Sequence, residues 1–197
     1  MLLQNDRPLT GIKAIGCGGY HSFAIATIGS RVYSSGVNQY GQLGLGDREL
    51  RNRLVPVRWL DGWDIVEVTG GTHHSLALGA DGDLFTFGRS DYGQLGCTDA
   101  VPGPGASEVV PRRVKLQGAT GKAVRIACGG NHGLVITGAE ELYSWGPGDN
   151  CVLGLKGEAD HPRPTRVHFE KQPQCAGLRA YDVAAGATHT LVLAINT

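Results

Sequence analysis

The fold of this chain follows from one short block, Gly18-Gly19-Tyr20-His21-Ser22, which returns three more times along the sequence. The later copies are Gly71-Thr72-His73-His74-Ser75, Gly129-Gly130-Asn131-His132 and Gly186-Ala187-Thr188-His189-Thr190. Counted from the last histidine of each copy, the block recurs after 53, 58 and 57 residues. A period of about 50 residues is typical of propellers and solenoids, whose units bury their core only against their neighbours. The period therefore predicts a chain of repeated units.

The segments that surround each block predict the strands of a propeller blade. An apolar strand precedes the block and a second apolar run follows it, as in Leu76-Ala77-Leu78. The Asp-Gly pair of Ala80-Asp81-Gly82-Asp83 is a strong hairpin signal, and Leu84-Phe85-Thr86-Phe87-Gly88 reads as the return strand. A proline opens the last segment of each unit, which we expect to be the outer strand. These prolines are Pro56, Pro111 and Pro164. No stretch has sustained helical periodicity, so the sequence predicts an all-β propeller.

The units are not equally complete. Four inner hairpin starts are present, but only three return strands and three Gln-Leu-Gly segments or their decayed equivalents. The run after His189 stops at Ala194-Ile195-Asn196-Thr197 without a turn or return strand. We therefore expect about three and a half blades, with the missing strands preceding Met1. The expected boundaries are 1–10 for an N-terminal segment, 11–60, 61–118 and 119–175 for three repeats, and 176–197 for the inner strands of a closing blade.

Charge and composition exclude several classes of protein. Lys and Arg total 18, as do Asp and Glu, so the net charge is zero and a dominant DNA-wrapping role is disfavoured. Two groups of basic residues are either solvated loop charges or local basic patches. They are Arg48, Arg51, Arg53 and Arg58, and Arg112, Arg113 and Lys115. No apolar run approaches the ~18 residues of a membrane span, and the N-terminus has no signal core. We expect an intracellular protein that is not secreted and has no membrane partner.

Small-molecule catalysis is not indicated. The five cysteines include no Cys-x-x-Cys pair, so neither a zinc site nor a disulfide framework is expected. Gly118-Ala119-Thr120-Gly121-Lys122-Ala123 lacks the glycine spacing and the Ser or Thr of a phosphate loop. We expect no metal and no cofactor. A histidine repeated in every unit is more simply explained as a structural residue that hydrogen-bonds the backbone across the glycine turn and so stabilises its blade. Its ring can also present one nitrogen to a partner.

The repeats resemble those of the regulator of chromosome condensation family of seven-bladed propellers. The resemblance rests on the Gly-x-x-His-Ser block, the aromatic-Gly return strand and the segment Tyr40-Gly41-Gln42-Leu43-Gly44-Leu45-Gly46. Three stretches are most similar to the C-terminal half of the family's chromatin-bound exchange factors for the GTPase Ran. They are residues 63–74, 88–96 and 183–193. The resemblance implies a nuclear protein, a Ran-like small GTPase as partner, and contact with chromatin or histones through the parent protein.

The resemblance also implies roles for the block residues. The GTPase-facing histidines of the family correspond to His73, or its neighbour His74, and to His189. The remaining block residues are expected to be structural repeat positions. They are Gly18, His21, Gly71, Gly129, His132 and Gly186.

Two functions remain open from the sequence. One is the C-terminal half of a Ran guanine-nucleotide exchange factor, inactive alone because the family's wedge and acidic residues lie in blades that this chain lacks. The other is a propeller scaffold of the same family that mediates protein–protein interaction without exchange activity. Closure of a full ring by two copies is disfavoured, because two copies supply eight inner starts but six outer segments.

Overall fold

Four sheets follow one another along the chain, and each is built from consecutive antiparallel strands. The computed structural model describes residues 3–4, 7–8, 10–97, 103–171 and 173–196. Within them, three sheets have four strands and the last has two, and a short separate hairpin lies near the N-terminus. We refer to the four successive sheets as blades 1 to 4. This arrangement is the partial all-β propeller that the repeat predicts.

The strand bounds follow the repeat. The N-terminal hairpin consists of β1 (Leu3–Gln4) and β2 (Arg7–Pro8). Blade 1 consists of β3 (Ile12–Cys17), β4 (His21–Ala26), β5 (Val32–Gly36) and β6 (Arg51–Pro56). Blade 2 consists of β7 (Ile65–Gly70), β8 (His74–Gly79), β9 (Leu84–Arg89) and β10 (Ser107–Val114). Blade 3 consists of β11 (Ala123–Cys128), β12 (Gly133–Thr137), β13 (Leu142–Gly146) and β14 (His161–Val167). Blade 4 consists of β15 (Leu178–Ala185) and β16 (Thr190–Asn196). Short 3-10 turns lie at Arg58–Leu60, Asp149–Cys151, Phe169–Lys171 and Pro173–Cys175.

The outer strands differ from the sequence prediction in where their prolines lie. Pro56 ends β6, whereas Pro111 and Pro164 lie inside β10 and β14. The expectation that a proline opens each outer strand is therefore wrong, although these strands are outermost as expected. The physical reason is that Pro111 and Pro164 lie where the pairing with the neighbouring strand shifts register. A residue without a backbone N–H is tolerated at such an irregularity or on an edge strand.

The hydrophobic core lies between blades. The first strands β3, β7, β11 and β15 lie side by side, and the sheets pack face to face outward from them. Phe23 of blade 1 contacts the ring of Phe87 of blade 2 edge to face, with centroids 6.0 Å apart. Trp145 and Tyr143 of blade 3 are buried with Leu76 and Leu78 of blade 2. Each blade thus depends on its neighbours for burial, as the period implies.

Candidate functional site

The four glycine-histidine blocks come together on one face, although about 50 residues separate them in sequence. Backbone hydrogen bonds join the turn of each blade to the next. The Gly19 N–H donates to the Gly71 carbonyl at 2.8 Å, and the Thr72 N–H donates to the Gly130 carbonyl at 2.9 Å. The Gly130 N–H donates to Ala187 at 3.0 Å. The blocks therefore form one continuous rim, which we call the histidine-turn face.

The first glycine of each block is required by the histidine three residues later. A Cβ atom on Gly18 would overlap the imidazole of His21, and the same overlap occurs in the other three blocks. The other pairs are Gly71 with His74, Gly129 with His132, and Gly186 with His189. The ring thus lies directly over the backbone of its own turn. This close approach is the physical reason for the Gly-x-x-His spacing.

A hydroxyl group ties blade 1 to blade 2. Nε2 of His21 lies 2.8 Å from Oγ of Ser75, and Ser75 Oγ donates to the carbonyl of Gln42 at 2.7 Å. Because the hydroxyl proton goes to Gln42, Nε2 of His21 must carry the proton that the hydroxyl oxygen accepts. All three residues are buried. The Ser75 hydroxyl of blade 2 therefore contacts both the turn and a loop of blade 1, through His21 and Gln42. The contact also fixes the tautomer of His21.

Blades 3 and 4 repeat this arrangement. Nε2 of His132 lies 3.0 Å from Oγ1 of Thr190, and Thr190 Oγ1 donates to the carbonyl of Val152 at 2.7 Å. Val152 holds the position in blade 3 that Gln42 holds in blade 1. At these two junctions, the residue that directly follows the block histidine therefore supplies the hydroxyl for the preceding blade, a role that the sequence reasoning missed.

The junction of blades 2 and 3 is built differently. Gly133 stands where the other two junctions have Ser75 or Thr190, and a Cβ there would overlap the ring of Trp145. The indole Nε1–H of Trp145 donates to the carbonyl of Gln94 at 2.9 Å and takes over the donor role of the hydroxyl. Neither ring nitrogen of His74 has a hydrogen-bond partner among the residues that the structure describes. Trp145 therefore satisfies the loop carbonyl and leaves the histidine unpaired.

The enclosed histidines are neutral at neutral pH. Burial lowers the pKa of His21 to about 4, with a further contribution from His73. Burial also lowers the pKa of His74 to about 3 and that of His132 to about 4. A neutral imidazole has one donor nitrogen, which suits the single hydroxyl that His21 and His132 each contact. These side chains are therefore built into the blade junctions.

His73 and His74 have different surroundings. His74 begins β8 and is 1% exposed, so its ring is closed off from a partner that docks on this face. His73 precedes the strand, is half-buried, and stacks on Tyr20 with ring centroids 5.5 Å apart. Burial and the nearby Arg89 lower the pKa of His73. Of the two candidate contact residues, only His73 presents its side chain at the surface.

His189 is exposed on the same rim. It follows the turn of blade 4, whose two strands are β15 and β16, and its ring lies over Gly186. The structure thus places His73 and His189 on one face, on the turns of blades 2 and 4. The sequence reasoning missed the neighbours of His73, namely Tyr20, Tyr40 and Arg89. Tyr20 and Tyr40 belong to the repeated motifs, but only the fold brings them beside His73.

Four of the basic residues singled out in the sequence are engaged with acidic or polar side chains. Arg51 pairs with Asp47 at 2.5 Å, and Arg112 pairs with Glu108 at 2.9 Å. Arg113 pairs with Asp83, and Arg48 donates to Ser107. Such exposed pairs add little stability, but they cancel local charge. The interpretation as solvated loop charges fits these contacts better than a phosphate-binding patch.

Within residues 10–97, 103–171 and 173–196, no group of three or more His, Cys, Asp or Glu side chains is placed to hold a metal ion. No helix among the described residues is long and apolar enough to cross a membrane.

Comparison with known proteins identifies the repeats. The family model described as "Regulator of chromosome condensation (RCC1) repeat" matches residues 30–78, 81–136 and 140–193. The ultraviolet-B receptor UVR8 of Arabidopsis thaliana is 37% identical over 186 residues, covering 93% of this chain and 39% of the receptor. The mitochondrial RCC1 domain-containing protein RUG3 of the same plant is 30% identical over 184 residues, covering 92% of this chain and 40% of RUG3.

A solved structure also matches the fold of this chain. The chain superimposes on Prp20p of Saccharomyces cerevisiae, which was studied for its binding to Gsp1p and histones, with a TM-score of 0.83 and 27% identity. The match covers 95% of this chain and 44% of Prp20p. The chain thus spans less than half the length of each of these three proteins. The predicted partial propeller is confirmed, and the chain belongs to the regulator of chromosome condensation repeat family.

Proposed function

We propose that this chain is the C-terminal half of a guanine-nucleotide exchange factor for a Ran-like small GTPase and that it contacts the GTPase through the histidine-turn face. The main support is the position of His73, a candidate contact by family resemblance, at the surface of this face beside exposed aromatic side chains. The similarity to Prp20p, a yeast RCC1 protein studied with Gsp1p and histones, supports the same partner.

Exchange by such a face needs no acid–base chemistry. An exchange factor displaces nucleotide because it binds the nucleotide-free GTPase more tightly than the nucleotide-bound form. A preformed rim joined by backbone hydrogen bonds suits this role, since little ordering is required when the partner docks. His189 on blade 4 is proposed as a second contact on the same rim. A nuclear location and a histone partner for the parent protein are proposed on the same similarity.

A second candidate function is a scaffold without exchange activity. It is favoured by the breadth of the family, which includes the ultraviolet-B receptor UVR8 and the mitochondrial protein RUG3. A shared repeat fold does not establish a shared activity. For a scaffold, the histidine-turn face would dock a different protein and would not discriminate between the nucleotide states of a GTPase.

Binding and nucleotide release distinguish the two functions. Ran is prepared nucleotide-free and GDP-bound, and its affinity for the full chain is measured by biolayer interferometry. The exchange-factor proposal predicts tighter binding of nucleotide-free Ran, without faster release of labelled GDP by this chain alone. Full-length Prp20p with Gsp1p serves as the positive control for release. Equal affinity for the two states, or no binding, would favour the scaffold.

A further inference from the structure

An unusual line of side chains crosses blades 1 and 2 on the histidine-turn face. His73 lies between Tyr20, at 5.5 Å, and Tyr40, at 5.0 Å between ring centroids. The guanidinium carbon of Arg89 lies 4.9 Å from the ring centroid of Tyr40 and 4.7 Å from that of Tyr92. We call these five residues, Tyr20, His73, Tyr40, Arg89 and Tyr92, the aromatic strip. Cation–π and stacking contacts hold its members in order.

The two ends of the aromatic strip, Tyr20 and Tyr92, are exposed, and its three middle members are half-buried. Tyr20 is 59% exposed and Tyr92 is 44% exposed, whereas large aromatic side chains are usually more enclosed. In blade 3 the positions of His73 and Tyr92 are taken by Asn131 and Asn150. The blades fold with either set of residues, so the repeat itself does not require the aromatic groups. Tyrosine and arginine are also the residue types that most often carry binding energy at protein interfaces.

The polar groups of the aromatic strip are mainly unused donors. No hydroxyl of Tyr20, Tyr40 or Tyr92 has a hydrogen-bond partner among the described residues. Nδ1 of His73 is also unpartnered there, but this nitrogen is buried and does not reach the surface. Arg89 donates through Nε and Nη2 to the two carboxylate oxygens of Asp91, at 2.7 and 2.9 Å. These bonds leave its Nη1 group for another acceptor.

Among the described residues, the carboxylate that contacts the aromatic strip is that of Asp91, and it is already engaged. Asp91 is buried, and it accepts the Gly105 N–H at 3.1 Å in addition to both bonds from Arg89. Although burial alone would raise the pKa of Asp91, the hydrogen bonds from Arg89 and Gly105 hold it below its usual value. Asp91 therefore stays ionised and fixes Arg89 in place. The surface therefore presents three phenol hydroxyls and a guanidinium edge without a carboxylate to accept from them.

We propose that the aromatic strip binds an acidic side chain carried on an apolar loop of a partner protein. The carboxylate would accept from Arg89 Nη1 and from neighbouring hydroxyl groups, and such charge-assisted hydrogen bonds are the strong ones. The apolar flanks of the loop would cover the faces of Tyr20 and Tyr92. A basic loop is disfavoured, since the free Nη1 group of Arg89 can only donate and offers no acceptor to a lysine. The inference rests on the proposed function only for naming the GTPase as the carrier of this loop.

A peptide titration tests the chemistry independently of the GTPase. The probes are three capped peptides, Ala-Leu-Glu-Leu-Ala and its Gln and Lys analogues, titrated into the full isotope-labelled chain. NMR signals of the His73 ring and the Arg89 side chain report binding. We expect millimolar binding of the Glu peptide, at least about fivefold tighter than the Gln peptide, and none of the Lys peptide. Equal binding of all three peptides, or shifts only outside the aromatic strip, would overturn the proposal.

A matched pair of variants tests the GTPase as carrier. Tyr20 and Tyr181 are each 59% exposed, but Tyr181 lies on β15 and outside the aromatic strip. Tyr20→Ala is expected to weaken binding of nucleotide-free Ran roughly thirtyfold, the effect of losing an interface hot spot, and Tyr181→Ala to leave it unchanged. Equal effects of the two substitutions would show that Ran does not use the aromatic strip. If the unsubstituted chain does not bind Ran, the proposed function fails, and the peptide titration still decides the inference.

Discussion

Replacing Ser75 with alanine removes the hydroxyl that ties blade 1 to blade 2. In the native protein this group accepts from Nε2 of His21 and donates to the carbonyl of Gln42. Because both partners are buried, neither gains water as a substitute when the hydroxyl is deleted. The substitution therefore leaves one buried donor and one buried acceptor unsatisfied, at a junction where each blade depends on its neighbour.

The magnitude follows from those two groups. Leaving a buried polar group unpaired costs about 1–3 kcal/mol, so the two groups together should lower the free energy of unfolding of Ser75→Ala by about 2–6 kcal/mol. For a chain of this size, in which each kcal/mol lowers Tm by about 2–4 °C, that loss corresponds to a fall in Tm of roughly 4–24 °C. Urea titration followed by tryptophan fluorescence measures the free energy, and differential scanning calorimetry measures Tm.

Ser22 provides the matched control. It holds the same position in the first block as Ser75 in the second, it is half-buried, and its hydroxyl makes no hydrogen bond to a described residue. Ser22→Ala should change the free energy of unfolding by no more than about 0.5 kcal/mol. If the two substitutions cost the same, the hydroxyl of Ser75 is not a tie between blades and the reasoning fails.

Three further predictions concern the same junctions. Gly129→Ala should lower the free energy of unfolding by about 3 kcal/mol or more, because the added Cβ would overlap the ring of His132. Gly103→Ala should leave it unchanged, because a Cβ at Gly103 would lie in open space. Comparable urea midpoints for the two variants would contradict the argument that Gly129 allows the close approach of the ring. In the same titration, Trp145→Phe should lower the free energy of unfolding by about 1–3 kcal/mol, because it leaves the Gln94 carbonyl unpaired. Trp63→Phe should lower it by less. The lowered pKa values of His21, His74 and His132 mean that the unfolded chain binds more protons below pH 6.5. The free energy of unfolding should therefore be highest above pH 6.5 and should fall as the pH drops towards 4, by roughly 2 kcal/mol per histidine at pH 5. Equal urea midpoints at pH 7.5 and pH 5 would refute this prediction.

The repeat made most of the fold predictable from sequence. Glycine and histidine recur together because the imidazole lies over the glycine backbone, so the block marks the same turn in every blade. The apolar runs on either side then locate the strands. The proline positions were not predictable in the same way, because Pro111 and Pro164 lie at register shifts that depend on the neighbouring strand.

The candidate site was only partly predictable. The choice between His73 and His74 depends on where β8 begins, and a shift of one residue exchanges a surface ring for a buried one. The aromatic strip could not be assembled from sequence, because Tyr20 and Tyr40 of blade 1 meet His73 of blade 2 only in the folded propeller. Likewise, the roles of Ser75 and Thr190 depend on contacts across a blade junction.

The position of the GTPase on the propeller is the central claim. Site-specific photocrosslinking tests it most directly, with p-benzoylphenylalanine placed at Tyr20 on the histidine-turn face or at Tyr181 on β15, two positions of equal exposure. After irradiation with nucleotide-free Ran, we predict a covalent product from position 20 and none from position 181. A product from position 181 alone, or from neither position, would contradict docking on the histidine-turn face.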